Sequence, residues 1–379
     1  MVDALEMKRC ADDGLALTVE GADHRALGRY RDFAAQRIKG AAQHPLWVEK
    51  WLRESGETGW IVWLKNGART VAALPLVETR INGFSALAFA GGAHANGNFC
   101  PCADPDIMVP ADMLADAIGR ALPHVALIAL ERQHRWLGGQ ANLLAGLSSR
   151  TSPNIALAAD LGGGFAGLLE RANGKKKSKK RRVQSRRFEE AGGSDVQKPA
   201  SPAEIDAVLD AFFRLKAARF EKAGIADVFS QPHIRSFWRA LLQASQHEGD
   251  RPFTLEALIV GNRVRAITGS SHLHDRTVCE FGAIEDDDLA SISPGEYLAY
   301  SNLEEACAKG LRLYDFSVGD EAYKRSWCNV EITHFDVVIP LTPAARLAVL
   351  GSNLVSRAKK QIKANPQLWA MAKAMRRLR

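Results

Sequence analysis

The groups in this chain best suited to proton chemistry lie between Glu280 and Lys324. Asp315, Tyr323 and Lys324 bring a carboxylate, a phenol and an amine close together in sequence, and Glu280 adds a second carboxylate upstream. Held near a reacting atom, such groups accept, deliver and balance protons. Between them stands Ser293-Pro294-Gly295-Glu296. Ser293 suits a helix N-cap and Pro294 the first helical position, with Glu296 placed to complete a capping box. Ala299, Leu303, Ala306 and Cys307 follow at helical spacing, Gly310 supplies a left-handed stop, and residues 311–316 read as a strand. The free N–H groups of such a helix start, together with the helix dipole, make an anion site where a phosphate-bearing cofactor can dock. A capped helix that binds nothing is the plainer alternative.

Those residues need elements to hold them, and the chain lays down the same order twice. Residues 29–39 and 45–51 read as helices. Residues 60–64, 70–78 and 85–90 read as strands, with hairpin dipeptides at Asn66-Gly67 and Asn82-Gly83. A loop rich in Gly, Asn and Pro over 91–106 leads to a helix over 111–122 and a buried strand over 125–130. In the second half, helices over 205–219 and 235–247 precede strands over 253–260, 263–270 and 277–283, and the helix from Ser293 and the strand from Leu311 close the unit. The fold class is α/β (α+β): two modules, each a mixed, largely antiparallel sheet flanked by helices. The division expected is 1–150, 160–340 and a basic helical tail over 344–379, with a linker over 147–160 where Ser, Thr, Pro and Asn gather.

A chain of 379 residues is long for one core, which agrees with two modules. No run approaches a membrane span, and residues 1–10 show no secretory pattern, so a cytoplasmic place is expected. The six cysteines have no C-x-x-C pair, which fits free thiols in a reducing compartment. Cys100-Pro-Cys102 beside His94 reads as a loop, and no metal site is expected. The net charge of +7 comes largely from the run 175–187 and from the tail after Arg346. Runs of this kind mean a solvated face or an anionic partner. No helix-turn-helix, zinc-knuckle or RNP-type pattern accompanies them.

The string formed by the Ser-Pro-Gly turn, its helix, Tyr314-Asp315-Phe316, Gly319-Asp320 and Tyr323-Lys324 resembles the CelD/BcsL-type acetyltransferases. These belong to the GNAT-like superfamily, related to the FemAB aminoacyl transferases. The resemblance runs over about 165–340 and implies two GNAT-like modules in tandem. Only the second has the Ser-Pro-Gly turn, so only it is expected to hold cofactor. The donor implied is acetyl-CoA or another acyl-CoA. Its pantetheine arm would enter a splayed parallel pair, strands 277–283 and 311–316, along the backbone of Phe281 and Gly282. Its pyrophosphate would rest on Ser293, Pro294 and Gly295. Asp315 or Glu280 would take the proton of the attacking amine or hydroxyl, and Tyr323 would protonate the leaving sulfur. Lys324 would pair with Asp315, hold the acceptor or touch phosphate. Lys216 and Arg219 fall where the family has a basic residue and are expected to bind substrate. Glu296 departs from the pattern, because a carboxylate there repels a pyrophosphate unless it folds back on Ser293.

Three functions stay in view. The first is acetyl transfer to a cell-envelope or exopolysaccharide-related acceptor. The second is FemAB-like transfer from aminoacyl-tRNA, with the basic patches contacting RNA. The third is a non-catalytic scaffold of polysaccharide synthesis. In the tail, Leu347, Leu350, Leu354, Ala358 and Ile362 form an apolar stripe that either packs on the second module or, with the basic residues beside it, seats the chain on an anionic membrane.

Overall fold

A computed structural model describes residues 14–351. The first half builds β1 (Leu15–Gly21), α1 (His24–Ala34), α2 (Pro45–Ser55), β2 (Gly59–Asn66), β3 (Arg69–Ile81), β4 (Phe84–Ala88), α3 (Ala111–Ala121) and β5 (Leu127–Gln133). A small hairpin, β6 (Trp136–Leu137) with β7 (Gln140–Ala141), leads to β8 (Ser149–Thr151) and β9 (Ala156–Asp160). The second half builds α4 (Gly164–Arg171), α5 (Gly174–Glu190), β10 (Ser194–Gln197), α6 (Pro202–Ala223), α7 (Pro232–Ser245), β11 (Phe253–Val260), β12 (Arg263–Leu273) and β13 (Arg276–Ile284). It ends with α8 (Pro294–Ala308), β14 (Leu313–Val318), α9 (Ala322–Arg325), β15 (Val330–Ile332) and β16 (Phe335–Pro340).

Two seven-stranded sheets result, ordered β1-β2-β3-β4-β5-β16-β8 and β10-β11-β12-β13-β14-β9-β15. Two strands cross between the halves. β9 inserts between β14 and β15 of the second sheet, and β16 returns to lie between β5 and β8 of the first. The segment 147–160 therefore contains strands of both sheets rather than a bare linker. The short apolar run Ala156-Leu157-Ala158-Ala159 is fully buried, and burial outweighs its weak β-propensity.

Local signals place the helices. α1 starts at Asp23, whose Oδ1 accepts the Ala26 N–H at 2.8 Å. It ends at Ala34, where the Lys39 ammonium donates to the Ala34 carbonyl at 2.8 Å. The helix thus lies earlier than 29–39, because a cap at each end overrides the apolar spacing between. The halves share one core: Trp47 and Trp51 of α2 pack on α7, with Trp47 5.0 Å from Phe237 and 5.3 Å from Trp238 between ring centroids. That shared aromatic layer fixes one module against the other.

Residues 343–351 are helical. Ala345 is buried and Val349 packs with Ala86, Leu127 and Ala129, so this helix lies on the first sheet, not on the second module. Leu347 and Leu350 of the expected stripe point outward, 72% and 60% exposed. The rest of that stripe and the tail beyond it lie outside the described residues.

Candidate active site

β13 and β14 run parallel, pairing at Arg276–Leu313, Thr277–Tyr314 and Val278–Asp315. Among the described residues they pair no further, although β13 continues to Ile284 and β14 to Val318. The two strands fork. On the other side of β13 the register with β12 slips: Gly269 stands opposite Phe281 and Ser270 opposite Cys279, leaving Glu280 as the extra residue of a bulge. A bulge re-aims a side chain at the point where pairing is interrupted. Gly269 permits it, since a Cβ there would lie 2.1 Å from the Phe281 ring.

Glu280 and Asp315 flank the fork. Glu280 Oε1 accepts the Ser271 hydroxyl at 2.6 Å, and Oε2 accepts the Asn96 amide at 2.8 Å. Burial pushes the Glu280 carboxyl up to about 7; these two bonds pull it back, and the like charge of Asp315 adds to the rise. Asp315 is 2% exposed and accepts the Ser317 N–H at 2.7 Å. Burial raises it to about 6, against the Ser317 bond and the nearby Arg276 and Lys324 cations. Two carboxyls poised near neutrality at a strand fork are equipped to take a proton.

The start of α8 differs from its expected form. Ser293 is left-handed (φ 62°, ψ 64°) and its side chain caps nothing, so the capping box with Glu296 is not formed. Glu296 is instead held by two lysines of α5, Lys177 at 3.0 Å and Lys180 at 2.5 Å, and Lys180 also donates to Ser293 Oγ at 3.2 Å. The carboxylate that would oppose a bound phosphate is neutralised by cations rather than by a cap. Pro294 occupies the first turn, and Gly295 lies so near Ile284 that a Cβ would stand 2.7 Å from its Cγ2. The loop from β13 carries four consecutive acids, each paired. Arg214 holds Glu285 at 2.9 Å, Lys222 holds Asp286 at 2.5 Å, and Arg265 holds Asp287 and Asp288.

Residues 175–325, from α5 to the end of α9, match the acetyltransferase (GNAT) domain. That match takes in most of the second module, which carries an acyltransferase fold of the GNAT type. No curated protein sequence matches the chain. In fold, the chain is similar to FemX (TM-score 0.57, 11% identity, covering 86% of this chain and 99% of that one). It is also similar to the L-PGS of Bacillus licheniformis (0.52, 11%, 89% and 97%). A third likeness is to the C-terminal domain of a putative lysylphosphatidylglycerol synthetase from Agrobacterium fabrum (0.51, 10%, 88% and 97%). At such identity these likenesses speak for the fold alone, and they cover both modules.

Around the fork of the acyltransferase module, the remaining singled-out residues divide. Phe281 and Gly282 lie on β13 beyond its last pair with β14, and the Phe281 ring packs into the seam core against Phe212 and Trp238. Tyr323 is 47% exposed at the start of α9, edge-on to Phe316 at 6.2 Å. Lys324 is buried and does not bond Asp315. It donates to the Val318 carbonyl at 3.0 Å and pairs with Glu321 at 2.9 Å, because the left-handed Ser317 turns the end of β14 toward it. Lys216 of α6 is half-buried beside Phe212, Phe220 and Phe229, with no ion pair among the described residues. Burial lowers its pKa, and the Arg219 charge adds to that.

Sequence reasoning missed Asn96, Ser271 and Arg276, which come from three other places in the chain. It also missed how α5 works. Lys177, Lys180, Arg181 and Gln184 recur at helical spacing and all bond α8 or the turn before it; Arg181 donates to the Tyr297 carbonyl at 2.6 Å and stacks on its ring. That stripe was readable within the basic run. Lys175, Lys176, Lys179 and Arg182 form the exposed outer face.

Proposed function

We propose that this chain is an acyl-CoA-dependent N- or O-acyltransferase that works at the fork of the second module. The acyl group is acetyl by default, and the acceptor is an amine or hydroxyl of a cell-envelope or exopolysaccharide-related molecule. The observation that carries the reading is the parting of β13 from β14 directly beside Glu280 and Asp315.

Beyond the last shared pair, the inward backbone groups of β13 have no strand partner among the described residues, so an extended amide-bearing arm fits there as a third strand. Phe281 and Gly282 would line that arm, and Ser293, Pro294 and Gly295 would face its phosphates. The neutralised Glu296 and the paired acids of the β13–α8 loop remove the repulsion that bare carboxylates would impose. A bound acyl-CoA supplies an activated thioester carbonyl. Glu280 or Asp315 then takes the proton lost by the acceptor nitrogen or oxygen as its bond to the acyl carbon forms. Tyr323, a phenol protonated at neutral pH without any help from its surroundings, gives its proton to the departing sulfur as the carbon–sulfur bond breaks. Lys216 and Arg219, cations without an ion-pair partner among the described residues, suit an anionic part of either substrate. Lys324 fixes the turn after β14.

A second reading, with aminoacyl-tRNA as donor, draws support from one feature. Lys175, Lys176, Lys179 and Arg182 on α5 have no acidic partner among the described residues, and a row of free cations suits a polyanion. Calorimetry separates the two readings. Acetyl-CoA or a longer acyl-CoA is expected to bind more tightly than free CoA. No heat with any of them, together with salt-sensitive retention of aminoacyl-tRNA, would replace the first reading by the second.

A further inference from the structure

Glu280 is held in part from outside its own module. The Asn96 amide nitrogen donates to Glu280 Oε2 at 2.8 Å and to the Glu280 backbone carbonyl at 2.8 Å. One side chain thus grips both ends of the bulged residue. Asn96 belongs to the loop after β4 of the first module, and that loop is fixed on both sides of it. Before it, the Arg132 guanidinium donates to the carbonyls of Ala93 at 2.9 Å and Ala95 at 3.0 Å. After it, Asn98 joins β5: its N–H reaches the Arg132 carbonyl at 2.8 Å, and its carbonyl accepts the His134 N–H at 3.0 Å. Gln43 completes the clamp, donating to Asn98 Oδ1 at 2.8 Å and accepting the Phe99 N–H at 2.8 Å. The module seam beneath is packed with aromatic rings.

We propose that Asn96 is a positioning residue for Glu280: the first module supplies the amide that sets the orientation and protonation of the second module's carboxylate. The proposal rests on Glu280 acting as the base. An amide N–H bonded to a carboxylate favours its charged form, so losing Asn96 makes Glu280 harder to ionise. The groups facing Glu280 are Ser271 from β12, Asp315 from β14 and Asn96 from the first module, and next to it Cys279 stands near Lys216 of α6 and Lys324 of α9. Ser271 can keep one bond to the carboxylate but cannot reproduce the grip on the bulge carbonyl. The seam therefore couples the placement of one module to proton transfer in the other.

The test uses the full chain with Asn96→Ala, Glu280→Gln and the double variant, and it has two arms. In the first, turnover of acetyl-CoA is followed from pH 5 to 9. Asn96→Ala is expected to move the acid limb of kcat/KM upward by about one pH unit, a loss of about tenfold at pH 6 that nearly vanishes at pH 9. An equal loss at every pH would show a merely structural role and overturn the proposal. The second arm needs no turnover: urea-unfolding midpoints are compared over the same pH range. Charged Glu280 is the form that Asn96 favours, so the penalty of Asn96→Ala should grow as pH rises through 7 and become independent of pH in the Glu280→Gln background. A penalty that is flat with pH in the otherwise wild-type chain would overturn the proposal. If the wild-type protein leaves acetyl-CoA untouched, the acyl-CoA reading fails, and the unfolding arm still decides the role of Asn96.

Discussion

In the first module β4 pairs with β5 at Ala86–Leu127, Leu87–Ile128 and Ala88–Ala129, and in the second β13 pairs with β14 over three residues in the same parallel sense. Past these pairs the two modules part ways. β4 ends at Ala88, the left-handed Gly91 and Gly92 turn the chain, and the loop comes back along β5, where Asn98 bridges Gln133 as a parallel partner. The backbone that a fork would expose is satisfied by the module's own loop. β13 instead runs on to Ile284 while leaving β14, and among the described residues its backbone on that side has no strand beside it. Buried backbone groups must find partners. One module finds them within the chain and becomes a support; the other is left suited to a ligand that is itself extended and rich in amides.

The largest effect expected from this contrast is chemical. Glu280→Gln should lower kcat by about 10²–10⁴-fold while leaving the donor Kd nearly unchanged, with Asp315→Asn acting in the same direction, as single-turnover kinetics and calorimetry would measure. A rate unchanged in both variants would remove the fork from the chemistry. The next effect belongs to the first module. Asn98→Ala breaks a buried network and should cost about 1–3 kcal/mol in urea unfolding, since the Gln43 amide and the Glu131 carbonyl lose their partner. No loss there would mean that the returning loop does not close the first fork. The smallest lies on α5. Lys177→Ala should cost about 1–2 kcal/mol, because Glu296 keeps Lys180 but Lys177 also bonds Ser326 and stacks on Trp327. Lys175→Ala on the outer face should stay within about 0.5 kcal/mol, and a larger cost would show that this face is not merely solvated.

The pattern of strands and helices was legible because periodicity and hairpin dipeptides are local. Residues 253–260 were bounded as the strand forms, and the two runs that become β13 and β14 read as strands, while their parallel pairing was implied by the family resemblance and not by the runs themselves. What escaped was settled by distant partners. The same signature occurs twice, as Ser201-Pro202-Ala203-Glu204 and as Ser293-Pro294-Gly295-Glu296. The first forms a full capping box, with Ser201 extended at φ −93°. The second does not, because its serine enters left-handed from a tight turn and α5 claims its glutamate. No local reading separates the two. β9 and β16 exchange sheets for a related reason: a short apolar strand goes where a sheet edge is free, and that depends on the finished fold. Of the site itself, the titratable types at 280 and 315 were readable, whereas the Glu280 bulge and the reach of Asn96 exist only in three dimensions.

A donor seated along β13 at the fork would shield that strand's free backbone groups, and hydrogen exchange of backbone amides with and without saturating acetyl-CoA reads this directly. New protection is predicted in β13 beyond Val278 and at the start of α8 around Gly295, with β4, β5 and the loop that carries Asn98 unchanged. Protection centred on the first module's pair, or none at the second module's fork, would contradict it.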